Sequence, residues 1–395
     1  MQAEVNIGLL GHVDHGKTTL TKALTGKWTA THSEELKRGI SIRLGYADAT
    51  TYICEKCNKY SFNEKCPCGG KGKTQRRISF LDAPGHETLM TTAISASSLM
   101  DGALFLIAAN ETCPQPQTSE HLMVLNAMGV KNIIIIQTKI DLVSKEKAIE
   151  NYNQIKAFVA GSIAENAPII PVSANHHVNM DNLTEQIEKT IQTPMRDKNA
   201  SLRMYVSRSF DINKPGTEIG KLKGGVFGGS IVQGSLHVGD EVELKPGIQR
   251  RDGAKPMPIK FKVTSLREEN DDLDVAFAGG LIAVGTPLDP AITKSDALIG
   301  SVIGRVGELP EASDTVKIKY ELLKRNDIEN PPLKQAEPLV VNAHTTTNVG
   351  VVANLAKGTA TIKMKKVMVN EKGAKVALSR RIGQRWRLAG WGEVL

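Results

Sequence analysis

The sequence predicts an α/β domain followed by two all-β barrel domains. Three observations carry that prediction: strand–helix alternation over residues 5 to about 191, a phosphate-loop motif after the first strand, and Gly-punctuated alternation beyond residue 198. At 395 residues the chain has room for two or three domains of roughly 150 residues each. With 41% hydrophobic and 23% charged residues it has the composition of a folded protein rather than a disordered one. The longest apolar stretches, 103–109 and 133–136, fall far short of the about 18 residues a membrane-spanning helix needs. Met1-Gln2-Ala3-Glu4 does not lead into a basic segment and an apolar run, so a cytoplasmic placement is expected.

Strands are expected at 5–10, 78–81, 103–109, 133–136 and 168–172, where short aliphatic runs end in turn residues. Helices are expected at 18–25, 87–100, 118–128, 146–160 and 182–191. In the first of these Leu20, Ala23 and Leu24 share one face. Such alternation builds a mostly parallel sheet with helices on both faces. From residue 198 the texture changes to short strands, as in 235–244, with Gly239-Asp240 and Pro246-Gly247 reading as turns. The expected domains are 1–197, with an insertion at about 52–72, then 198–310 and 311–395.

Gly11-His12-Val13-Asp14-His15-Gly16-Lys17-Thr18 fits G-x-x-x-x-G-K-[ST] between a strand and a helix. Glycines let the loop wrap so that backbone N–H groups meet phosphate oxygens, helped by the positive end of the following helix. Lys17 would reach the β- and γ-phosphates, and Thr18 would offer its hydroxyl to Mg²⁺. Asp82-Ala83-Pro84-Gly85 follows the second predicted strand, with a carboxylate to hold Mg²⁺ through water and a glycine N–H to sense the γ-phosphate. Thr138-Lys139-Ile140-Asp141 and Ser173-Ala174 follow later strands. The Asp141 carboxylate can accept from the N1–H and 2-amino group of guanine, and a site built on that pair rejects adenine by roughly 10⁴. GTP and GDP are therefore the expected ligands. The candidate nucleotide-binding residues are Asp14, His15, Gly16, Lys17, Thr18, Thr19, Gly85, Thr138, Lys139, Asp141, Ser173, Ala174 and Asn175.

Cys54-x₂-Cys57-x₈-Cys66-x-Cys68 offers four thiolates within fifteen residues, the number a closed structural zinc site uses. Cys66-Pro67-Cys68 is one residue tighter than is usual for a knuckle, and four reduced, unligated thiols are the alternative. Cys113 reads as structural. Residues 363–387 hold nine basic side chains and one acid, Glu371, which equals the net charge of +8. That stretch suits nucleic acid or an acidic partner if it forms one face; lysines and arginines on wet strand faces are the alternative.

The phosphate loop, Arg38-Gly39-Ile40-Ser41 and Asp82-Ala83-Pro84-Gly85-His86-Glu87 resemble translational GTPases. The cysteine insertion, Ser209-Phe210-Asp211-Ile212-Asn213-Lys214-Pro215-Gly216-Thr217 and Ser379-Arg380-Arg381 resemble more closely the gamma-subunit family of archaeal and eukaryotic translation initiation factor 2. The resemblance implies an α/β P-loop GTPase domain followed by two all-β barrel domains. It makes 38–41 part of the first switch and 82–86 part of the second. It places Ser41 on Mg²⁺, Asp14 and the Gly39 carbonyl on a second Mg²⁺, and His86 where the attacking water is oriented. It further implies slow hydrolysis without partners, methionyl initiator tRNA as cargo, alpha and beta subunits in a heterotrimer, and the small ribosomal subunit as destination. Thr138 departs from the family's Asn-Lys-x-Asp, since a hydroxyl makes only part of an amide's hydrogen-bond network. Another tRNA-carrying translational GTPase, elongation or selenocysteine-specific, and a GTP-binding scaffold that uses no tRNA are the rival readings.

Overall fold

The structure is a computed structural model that describes residues 1–29, 44–86, 89–248, 255–269, 271–325 and 327–395. It divides into two compact units, 3–194 with Met1 and 195–395 with Gln2.

The first unit contains β1 (Val5–Gly11), α1 (Lys17–Thr25), β2 (Gly45–Cys54), β3 (Tyr60–Ser61), β4 (Gly72–Asp82), α2 (Met90–Ser97) and β5 (Gly102–Ala108). It continues with α3 (Pro116–Met128), β6 (Ile133–Thr138), α4 (Lys145–Val159), β7 (Ile169–Pro171) and α5 (Met180–Thr190). One seven-stranded sheet runs β3-β2-β4-β1-β5-β6-β7. Its last five strands are parallel. Strands β1, β5 and β6 are buried along their whole length, because alternate side chains enter different cores. Val5, Ile7 and Leu9 pack with Leu20 and Leu24 of α1 and Leu183 and Ile187 of α5. Leu10, Phe105 and Ile135 pack on the other face with Leu125 of α3 and Ile155 of α4.

All five expected strands are present, and all five helices, although α2 starts at Met90 rather than at 87. The antiparallel pair β2 and β3, and the start of β4 at Gly72 rather than 78, were not anticipated. Gly-Tyr-Ala-Asp-Ala-Thr-Thr-Tyr-Ile-Cys in β2 lacks an aliphatic run, and its strand character comes from pairing with β4 over nearly its full length.

The second unit begins with β8 (Arg203–Phe210), β9 (Val226–Gln233), β10 (Ser235–His237), β11 (Glu241–Ile248) and β12 (Met257–Lys262). These are followed by β13 (Ser265–Glu268), β14 (Asp271–Leu273), β15 (Val275–Phe277), β16 (Ile282–Gly285) and β17 (Val302–Arg305). An eight-stranded sheet, β12-β11-β17-β8-β9-β16-β13-β14, and the ribbon β10-β15 enclose one core with Met204, Phe227, Leu236, Val242, Phe261 and Ala276. Then β18 (Ala312–Leu322), β19 (Pro338–Ala343), β20 (Thr346–Ala356), β21 (Thr359–Val369), β22 (Lys375–Ile382) and β23 (Arg385–Val394) form a closed barrel in the order β18-β21-β20-β19-β22-β23. Strand β18 pairs with both β21 and β23, so closure leaves no free edge.

These two β bodies are joined through Glu371. Its carboxylate accepts from Arg203 Nε at 2.7 Å and from the Tyr205 hydroxyl at 2.6 Å. The His344 ring stacks on Tyr205 at 4.1 Å, and the Thr345 hydroxyl donates to the Val206 carbonyl at 2.8 Å.

Part of the basic excess of 363–387 is paired within the barrel. Arg380 is buried and donates to Glu337 and Asn330, Lys363 pairs with Asp314, and Arg387 pairs with Asp327 at 2.9 Å. Among the described residues no helix is long and apolar enough to cross a membrane.

Candidate nucleotide and metal sites

Strand β1 delivers the chain into a tight loop, and Gly16, at φ 85°, adopts the left-handed conformation from which α1 starts at Lys17. The Lys17 ammonium is buried and donates to the Gly11 and His12 carbonyls at 2.9 and 2.7 Å. Burial pulls its pKa down to about 8, against the opposing charges of Asp82 and Asp14, so it stays protonated at neutral pH. A Cβ on Gly85 would lie 2.5 Å from Lys17 Nζ and 2.7 Å from the Gly11 oxygen. Only a glycine lets the segment after β4 pass this close to the loop.

The β1–β4 register sets Leu9 beside Asp82, which brings that carboxylate to the loop. Asp82 Oδ2 accepts from the Thr18 hydroxyl at 2.7 Å and from the Thr29 hydroxyl at 2.6 Å. Hydroxyl and carboxylate oxygens at this separation suit a hard cation such as Mg²⁺. No motif marks Thr29, and sequence reasoning missed it.

At the end of β6 the Thr138 hydroxyl donates to the His15 carbonyl at 2.9 Å. Threonine here still ties the segment after β6 to the phosphate loop. The Asp141 side chain is 23% exposed, and the neighbouring Ser173 hydroxyl favours its ionised form, holding its pKa below the ordinary aspartate value. Gly16, Thr19, Thr138, Lys139, Asp141, Ala174 and Asn175, together with Leu142, line one cavity of about 110 Å³. Seven of these eight come from the sequence-derived set. The His15 side chain turns into the protein, with Nδ1 2.9 Å from the Leu106 carbonyl and Nε2 3.2 Å from Glu111. Asp14 is exposed at φ 63° and His86 is half-buried; Gly39 and Ser41 lie outside the described residues.

His121, on α3, is fully buried, and neither ring nitrogen has a hydrogen-bond partner. Burial, reinforced by the charge of Lys17, drives its pKa down to about 3, and the Gly85 backbone faces the ring. Sequence reading gave no reason to single it out from the other polar positions of an amphipathic helix.

The sulfurs of Cys54, Cys57, Cys66 and Cys68 all lie within 4.8 Å of one another. The separations Cys54–Cys68, Cys57–Cys66 and Cys57–Cys68 are 3.5 Å, and Cys66–Cys68 is 3.3 Å. A zinc tetrahedron with Zn–S of about 2.3 Å has sulfur–sulfur edges of about 3.8 Å, and these four separations fall slightly below that edge. The tight Cys66-Pro67-Cys68 spacing works because the turn closes through the Gly69 N–H on the Cys66 carbonyl and the Cys66 N–H on the Gly70 carbonyl. The backbone N–H groups of Cys57 and Lys56 bring the Cys54 thiol down to about 6. Cys113 stands apart, its thiol pushed up to about 12 by burial, in keeping with a structural role.

A methyl on Gly70 would lie 2.6 Å from Cys54 Sγ and 2.9 Å from Lys56 Cβ. Competition against a chelating dye is therefore expected to give Gly70→Ala a zinc affinity about 10- to 100-fold weaker, with nucleotide affinity unchanged. His121 gives a pH prediction. Its folded pKa of about 3 lies below its unfolded value near 6.5, so the unfolded chain takes up the proton first and stability falls as pH drops below 6.5. In urea unfolding, the stability of the parent relative to His121→Leu is expected to fall by about 2 kcal/mol between pH 7 and pH 5.

Residues 2–193 match the family described as Elongation factor Tu GTP binding domain, and residues 314–394 match Initiation factor eIF2 gamma, C terminal. The chain is 57% identical over 405 residues to translation initiation factor 2 subunit gamma of Methanococcus maripaludis, covering 100% of this chain and 99% of that protein. It is 53% identical over 401 residues to the same subunit of Pyrococcus horikoshii, covering 100% and 98%. Among solved structures it is similar to a bacterial selenocysteine-specific elongation factor, at 27% identity and a TM-score of 0.77, over 99% of this chain and 58% of that one. Sharing more than half its residues with such relatives from end to end, the chain belongs to the translation initiation factor 2 gamma subunits and is a translational GTPase.

Proposed function

We propose that the chain grips methionyl initiator tRNA when GTP is bound, carries it to the small ribosomal subunit as part of a heterotrimer with alpha and beta subunits, and releases it after hydrolysis. In this reading the G domain spans 1–197, with β-barrel domains at 198–310 and 311–395.

The observation that carries the reading is the approach of Gly85 to Lys17, with Thr18 and Asp82 hydrogen-bonded beside them. Lys17 binds the β- and γ-phosphates, and the Gly85 N–H reports the terminal phosphate to the segment that carries His86. Thr18 would hold Mg²⁺ directly and Asp82 would hold it through water, and the ion would supply positive charge beside the phosphates. Asp141 reads the guanine edge, with Thr138, Lys139, Ser173, Ala174 and Asn175 closing around base and ribose. His86 orients the attacking water. The four cysteines would hold a structural zinc, which would tie down the end of the β2–β4 ribbon.

Filter binding tests the tRNA step. Methionyl initiator tRNA is expected to be retained with a non-hydrolysable GTP analogue and lost with GDP, and equal retention would favour a scaffold that does not use tRNA. His86→Ala is expected to keep both nucleotide affinities while single-turnover hydrolysis, with small ribosomal subunits and partner factors present, falls by about 10²-fold or more. An unchanged rate removes His86 from the mechanism.

A further inference from the structure

Sequence motifs do not account for the polar stripe on α3. Gln117, Thr118 and His121 lie three and four residues apart, which sets them on one helical face. Gln117 Oε1, Thr118 Oγ1 and both His121 ring nitrogens are buried with no hydrogen-bond partner, and so is His12 Nδ1 in the phosphate loop. Buried polar atoms are satisfied in the great majority of cases, so such a cluster asks for an arrangement that supplies partners.

The surroundings say which arrangement. Helix α3 packs on β1 and on α2, and its His121 ring faces the Gly85 backbone beside Lys17. The Gly85 carbonyl belongs to the peptide that leads into His86. Resting on the reading of the nucleotide site above, we infer that His121 is a positioning residue for the second switch: in the GTP state its neutral ring donates a hydrogen bond to the Gly85 carbonyl. Gly85 is then held at both polar groups, its N–H by the terminal phosphate and its carbonyl by His121. The following peptide keeps one direction, and with it the placement of His86. GDP lacks the terminal phosphate and leaves Gly85 held at one end, so the contact distinguishes the two nucleotides without touching either. A ring that carried charge beside Lys17 would repel that lysine; a neutral one donates without doing so.

Two pairs of variants of nearly equal shape test this in the full-length chain, each pair differing in the presence of a donor. His121→Asn and His121→Leu probe the Nδ1 position, and His121→Gln and His121→Met probe Nε2. Fluorescent GDP and a fluorescent non-hydrolysable GTP analogue supply the affinities, and single-turnover GTP hydrolysis the rate. In one of the pairs the apolar member is expected to lose GTP-analogue affinity and hydrolysis rate by about fivefold to tenfold, the worth of one neutral hydrogen bond, with GDP affinity unchanged. The amide member of that pair is expected to stay near the parent. If amide and apolar members agree in both pairs, or if GTP-analogue and GDP affinities fall together, His121 is packing and the inference is overturned. Failure of the parent chain itself to bind guanine nucleotides would instead overturn the reading of the site.

Discussion

One buried ammonium organises the nucleotide end of this molecule. Lys17 sits where the first strand, the loop after it and the turn after β4 converge, and its three N–H bonds must be satisfied away from water. The Gly11 and His12 carbonyls supply two partners, Asp82 and Asp14 supply opposing charge, and the chain at Gly85 has shed its side chain to come this close. The same positive charge helps keep His121 neutral. The site is thus a balance around a desolvated cation that an anionic ligand can relieve.

The second constraint is the linking of the loops that follow different strands. Thr138 is bonded to the His15 carbonyl, so the segment that leads to Asp141 and the loop that leads to Lys17 share a hydrogen bond. Asp82 joins Thr18 and Thr29 in the same way. Parallel strands β1, β4, β5 and β6 end side by side and bring these loops together, which is where open α/β sheets bind ligands.

What was legible in the sequence depended on fixed spacing. The phosphate loop, Asp82 to Gly85, Thr138 to Asp141 and the four cysteines are short local patterns whose chemistry follows from residue type, and the fold brings each set together. Thr29, Gly70 and His121 were invisible because their importance arises from partners distant in the chain or from a close approach that spacing does not encode. Strand β2 was missed for a related reason: its pairing with β4, not its own side chains, makes it a strand. The basic stretch at 363–387 shows what a count of charges leaves out. Counting charges found the excess, but only the register of the barrel reveals that Arg380 is consumed inside it by Glu337 and Asn330.

Glu371 has a consequence for how the β half of the chain can evolve and move. One carboxylate serves both an arginine and a tyrosine from β8, with His344 from a separate barrel turn stacked on that tyrosine. Such a joint acts as a bolt through two plates: drift at any one of its members is opposed by the others. Adaptation in this half is therefore expected to gather in projecting loops such as the one carrying the exposed Ile219, and not at the seam.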